Sequence, residues 1–137
     1  MRLDAADVPV EDKLWGLTRC LFKDDSHEVW HATARAGGYS SRHRHRKMPN
    51  KFYVVSGVLH VEQYGLDRPD KDTDPVHVMT VRAGQECTVD ADYWHRFIAQ
   101  TDVELIEIYW THIPQRGDIE RTDLGGVMPL PGVRAAA

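Results

Sequence analysis

The sequence predicts an all-β chain, a sandwich or a barrel, and three observations carry that reading. Short segments rich in Val, Ile, Thr and aromatic residues, many of them alternating, recur along the chain. Turn chemistry separates them at Gly37-Gly38, Pro49-Asn50, Gly57, Gly84 and "DADY" from Asp90 to Tyr93. No segment holds a helical period over three turns.

In chain order, residues 1–12 read as an arm, 13–126 as one barrel-forming unit, and 127–137, with "PLPGVRAAA", as a loose tail. The expected strands are "EVWHATARA", "KFYVVSG", "VLHVEQY", "VHVMTVRA", "ECTV", "HRFIAQ" and "VELIEIYW". "GLDRPDKDTDP", Gly65 to Pro75, is a polar surface loop between two of them. There is no internal repeat and no second domain.

Composition narrows the function. The 137 residues suit one domain with a real core, and 42% hydrophobic with 28% charged residues is ordinary for a globular protein. A formal net charge of −4 speaks against a dedicated nucleic-acid binder. No stretch is apolar for long enough to span a membrane, so neither nucleic acid nor membrane is an expected partner. The opening "MRLDAADVPVEDK" is acidic and polar, unlike a secretory signal, and the expected location is the cytoplasm. Cys20 and Cys87 lie far apart and read as plain thiols, not as a disulfide framework.

The stretch that carries chemistry is "SSRHRHRKMPNKFYVVSG", Ser40 to Gly57. Side chains on a strand alternate faces, so His43 and His45 point one way and Arg42, Arg44 and Arg46 the other. Two imidazoles on one face can reach one metal ion, although an HxH pair alone is a weak signal and common by chance. A third ligand is available downstream, where Gly84 opens "GQECTVDADYWHRFIA" and His95 follows a tight turn.

These spacings resemble those of the cupin superfamily. The first cupin motif runs Gly, five residues, HxH, three or four residues, Glu, six residues, Gly; Gly37, His43-Arg44-His45, Asn50 and Gly57 stand in that register. The second runs Gly, five residues, PxG, two residues, His, three residues, Asn; here Gly84, Asp90-Ala91-Asp92, His95 and Ala99 occupy it. Asn50 replaces the Glu, and Asp90, Asp92 and Ala99 replace the Pro, Gly and Asn. "LWG" at Leu14 to Gly16, "YVVSG" at Tyr53 to Gly57, "ELIEI" at Glu104 to Ile108 and "GDIERTDLGG" at Gly117 to Gly126 look like the cupin part of type II mannose-6-phosphate isomerase/mannose-1-phosphate guanylyltransferase proteins.

The resemblance implies an all-β double-stranded β-helix, a jelly-roll cupin barrel with its site inside. It implies a divalent metal ion (Zn, Mn, Fe or Ni) held by His43, His45 and His95, with Asn50 either a weak, neutral fourth ligand or outside a three-histidine site. It also implies a small-molecule ligand in the barrel and a homodimer formed through an edge strand or an exchanged N-terminal segment. Met48 and Lys51 stand where the isomerases have Arg and His. These 137 residues hold no nucleotide-binding domain, so nucleotidyl transfer is not implied.

Glu107, Tyr109 and Lys51 are the candidate proton-moving residues of a sugar or sugar-phosphate isomerase or epimerase. A three-histidine Fe(II) dioxygenase and a non-catalytic ligand-binding module are the alternatives. His27, His31, His60, His77 and His112 read as surface or satisfied histidines. The arginine face of 42, 44 and 46 reads as solvated or interfacial. Trp15, Trp30, Trp94 and Trp110 read as core and interface aromatics. Metal release is expected as pH falls through about 6, where imidazole protonates.

Overall fold

A computed structural model of the chain describes residues 6–111 and 119–132. His112, the opening of the Gly117–Gly126 motif and both chain ends lie outside the described residues. The described residues contain strands and turns and no helix.

The strands are β1 (Glu11–Lys13), β2 (Gly16–Lys23), β3 (His27–Ala34), β4 (Gly38–Tyr39), β5 (His43–Arg44), β6 (Asn50–Ser56), β7 (Val58–Gln63), β8 (His77–Arg82), β9 (Glu86–Val89), β10 (His95–Ala99), β11 (Val103–Trp110), β12 (Glu120–Arg121) and β13 (Gly126–Val127). One antiparallel sheet has the order β1-β2-β3-β11-β6-β9. The other runs β12-β5-β10-β4-β13, with β7 joining β10 to β8. This is the double-stranded β-helix that the resemblance implies.

The alternation of residue types explains which face turns inward. Phe52 and Val54 of β6, Leu59 and Val61 of β7, Phe97 and Ala99 of β10, and Val103 and Leu105 of β11 are all buried between the sheets. Trp15 packs edge-on to Phe97 with ring centroids 5.0 Å apart, which closes that end of the core. Burying each such large side chain contributes about 1.5–3 kcal/mol. Along the same strands the inward residues then change character: Asn50 precedes Phe52, His95 precedes Phe97, and Glu107 and Tyr109 follow Leu105. One end of the barrel is therefore a packed apolar plug and the other a polar cavity.

Two features differ from the sequence reading. β2 is a full strand that the strand pattern does not announce, because Leu17, Leu21 and Phe22 stay exposed and the pairing slips between Cys20 and Phe22. β1 pairs with β2 from Glu11, inside the segment read as an arm, and Val127 pairs with Gly38 inside the segment read as a tail.

Three glycines of the spacing pattern sit at positive φ, Gly37 at 85°, Gly57 at 88° and Gly84 at 81°. At Gly57 a Cβ would also run into the Asp102 carbonyl, so only glycine fits the turn from β6 into β7.

Candidate metal centre

His43 and His45 come from the β5 segment and His95 from the start of β10, and β10 pairs with β5 directly across His95 and His43. Each of the three is buried, with 6%, 6% and 1% of its surface exposed. One ring nitrogen from each lies within 4.8 Å of the other two. The ring centroids are 5.2 Å apart for His43–His45 and 4.5 Å for His43–His95. This is the convergence of imidazoles that a metal site requires.

The outer hydrogen bonds fix which nitrogen faces inward. Nδ1–H of His43 donates to the Ser41 carbonyl at 2.7 Å, and Nδ1–H of His95 donates to the Tyr93 carbonyl at 2.9 Å. In both rings Nε2 is then the lone-pair nitrogen, the arrangement that orients metal-binding histidines. Burial lowers the His95 pKa to about 4 and holds that of His43 well below its ordinary value, where the neighbouring His95, His45 and Arg121 push the same way. Both imidazoles are neutral at pH 7, as ligation demands.

The turn at Asp90–Tyr93 positions two of the three. Its Asp92 backbone N–H donates to the His45 carbonyl at 2.7 Å, and its Tyr93 carbonyl holds His95. Asp92 has φ 75°, at the position where the cupin pattern has glycine. Asp tolerates this left-handed conformation better than most residues, which is how the turn keeps its shape without glycine.

Asn50 closes the cluster. It is fully buried on β6, and its Nδ2 lies 3.4 Å from Nε2 of His95. Its Oδ1 is buried with no hydrogen-bond partner among the described residues. A buried amide oxygen without a donor carries a desolvation cost that a cation would offset. The donor set of three neutral imidazoles and one amide therefore fits a divalent ion, and places no negative charge beside it.

Glu107 and Tyr109 share the inward face of β11. Tyr109 stands across from Asn50 and Glu107 across from Phe52. The Tyr109 ring lies edge-on to His45 at 4.7 Å, and its hydroxyl donates to Glu107 at 2.7 Å. Burial raises the Glu107 carboxyl pKa, opposed by the Tyr109 hydrogen bond and by the charges of Arg121 and Lys13. Burial and the adjacent Glu107 hold the Tyr109 hydroxyl well above its usual range, so it stays a donor. Both line a cavity of ≈ 1360 Å³ together with His43, His45, Met48 and Arg121.

Lys51 is not brought to this site. It follows Asn50 on β6 and so faces the opposite side of the sheet, ion-paired with Glu86 at 2.6 Å. His60 likewise alternates with the core residues Leu59 and Val61 and points away. The arginine face is less solvated than expected: Arg42 and Arg44 are mostly buried, paired with Asp123 at 3.7 Å and Glu120 at 3.2 Å, while Arg46 is exposed. Arg44 also lies over the buried Trp94 ring at 5.1 Å.

Arg121 is the site residue that residue-by-residue reading passes over. β12 sets it directly across from His43. The signal was present, since "DIERTDLGG" was singled out as a block, but nothing in its spacing says that its arginine faces the cavity.

No family model matches the sequence, and no curated protein does. Solved structures do match in fold. KdgF from Halomonas sp. superposes with a TM-score of 0.62 at 17% identity, covering 80% of this chain and 91% of that one. A protein from Klebsiella pneumoniae with a double-stranded β-helix domain gives 0.63 at 12% identity, covering 81% and 82%. Oxalate decarboxylase from Bacillus subtilis gives 0.68 at 12% identity, covering 85% of this chain and 30% of that one.

Fold and site together define a small double-stranded β-helix protein with a buried three-histidine cluster, two of whose members line its cavity. The fold is the double-stranded β-helix of these neighbours.

Proposed function

We propose that the chain is a metal-dependent cupin enzyme of the isomerase or epimerase type, acting on a small carbonyl-bearing sugar derivative in the barrel. The observation that carries this reading is the Glu107–Tyr109 pair, hydrogen-bonded at 2.7 Å and set beside His45 in the cavity that His43 and His45 line. His43, His45 and His95, with Asn50, would hold the ion. A divalent ion there supplies Lewis acidity toward a carbonyl or hydroxyl oxygen.

Glu107 is suited to the proton transfer. Its raised pKa makes it a stronger base than an exposed carboxylate, closer to the working pH. The carboxylate takes the proton from the carbon next to the carbonyl, and the electron pair moves toward the carbonyl oxygen. Returning the proton to the opposite face of the same carbon inverts it; returning it to the neighbouring carbon, as the proton of the adjacent hydroxyl passes to the former carbonyl oxygen, exchanges aldehyde and ketone. No external oxidant or reductant is needed. Tyr109 keeps its proton and holds the carboxylate in one orientation. The likeness of four sequence blocks to the mannose-6-phosphate isomerase proteins agrees with this chemistry.

The oxidative alternative draws on Asn50. A neutral residue in the carboxylate position leaves three imidazoles, a set that also suits Fe(II).

Deuterium uptake from D₂O separates these. Metal-loaded protein is incubated with glucose, mannose 6-phosphate and glucuronate, and the carbon-bound hydrogens next to the carbonyl are followed by NMR. Uptake that Glu107→Gln abolishes supports the isomerase reading. Uptake that survives in Glu107→Gln, or oxygen consumption in place of exchange, contradicts it.

A further inference from the structure

Charge pairing around the cavity leaves one cation without a direct ion pair among the described residues. Of the two cavity lysines, Lys13 pairs with Glu11 at 3.5 Å and Lys23 with Glu28 at 3.3 Å. The neighbouring arginines Arg42, Arg44, Arg46 and Arg96 pair with Asp123, Glu120, Glu120 and Glu62. Arg121 lines the cavity yet has no carboxylate within ion-pairing distance among the described residues.

Its guanidinium is nevertheless held in place. One Nη donates to the Ser41 hydroxyl, and the Ser41 carbonyl is the group that orients His43. Two further bonds fix its strand: Arg68 donates to the Arg121 carbonyl at 3.3 Å, and the Thr122 N–H donates to the Arg42 carbonyl at 2.8 Å. A positioned guanidinium with free donors, facing a cavity and making no direct ion pair although it feels the Glu107 carboxyl, is the arrangement that binds an oxyanion in a bidentate manner.

We propose that Arg121 is an anion subsite at the cavity mouth, which seats the carboxylate of a singly charged sugar acid while its oxygens reach the histidine cluster. Position supports the two-point attachment, because Arg121 is the cross-strand partner of His43. The single charge follows from the lining. Asp12, Asp24, Asp25 and Glu107 also face the cavity, besides Glu11 and Glu28 that pair with its lysines, so a dianionic phosphate meets more repulsion than one guanidinium without an ion pair offsets. This inference rests on the reading of the cavity as a ligand site and adds the ligand's chemical class. Its test needs binding alone, so it succeeds or fails separately from proton exchange.

Calorimetric titration with three matched probes tests it: glucose, glucuronate and glucose 6-phosphate, which carry no, one and two negative charges on one ring scaffold. Glucuronate is expected to bind about tenfold or more tightly than glucose, with glucose 6-phosphate weaker than glucuronate. Arg121→Gln should bring glucuronate down to the glucose level while metal content and melting temperature hold, and Arg121→Lys should recover part of the difference. Glucuronate binding no tighter than glucose, no detectable glucuronate binding, tighter binding of glucose 6-phosphate, or an unchanged preference in Arg121→Gln would each overturn the proposal.

Discussion

Tyr109 donates a 2.7 Å hydrogen bond to Glu107 on the inner face of β11, two residues away on one strand and beside His45 of another. This bond lowers the carboxyl pKa that burial raises. Tyr109→Phe removes the lowering contribution without changing the ring. The titration of the Glu107 carboxyl should therefore move to higher pH, visible as a shifted carboxyl resonance in an NMR titration. An unmoved resonance would mean that the bond does not set the acidity.

Glu107→Gln keeps shape and removes the base. Turnover should fall by about 10²–10⁴-fold, the usual share of a positioned general base, with metal content unchanged. A loss of metal in parallel with activity would instead make Glu107 a part of the metal site.

Stability of the metal-free protein should fall as pH drops from 6.5 to about 4. In that window the unfolded chain protonates His95 whereas the folded chain does not, so the unfolded state binds more protons and gains. The lowered pKa of His43 acts in the same direction. His95 alone is worth on the order of 3 kcal/mol, fully lost below about pH 4. Glu107, raised above 4.5, works the other way, because its folded form holds the extra proton just above that value. Urea unfolding of wild type and His95→Asn across this range isolates the histidine contribution; parallel curves would contradict it. Metal release should likewise occur at lower pH than free histidine, near pH 6, would suggest.

Asn50→Glu puts a carboxylate beside His95, in a fully buried position. Metal affinity should rise tenfold or more, on the order of 1–3 kcal/mol. An unchanged titration would mean that residue 50 does not reach the ion.

Asp92 carries the turn that holds His45 and His95. Asp92→Val sets a β-branched residue at φ 75° and should cost about 1–2 kcal/mol, whereas Asp92→Gly should be neutral or stabilising. Equal effects in a denaturant series would remove the conformational argument.

The histidine set was legible in the sequence because the glycine and histidine spacings encode backbone turns, and turns need particular residues. Gly37, Gly57 and Gly84 all take positive φ, so their positions mark where strands end. β2 was not legible, since an edge-side strand with exposed Leu17 and Phe22 lacks clean alternation. Lys51 follows Asn50 on β6, and strand parity turns it to the opposite face, where it pairs with Glu86. Arg121 escaped because its importance arises from pairing across β12 and β5, residues far apart in the chain.

The central claim is that His43, His45 and His95 hold one divalent ion. Elemental analysis of the protein and four variants tests it most directly. The account predicts about one bound transition-metal ion per chain in wild type and in His77→Ala, and its loss in His43→Ala, His45→Ala and His95→Ala. Equal metal in all five proteins, or none in wild type after incubation with Zn, Mn, Fe(II) and Ni, would contradict it.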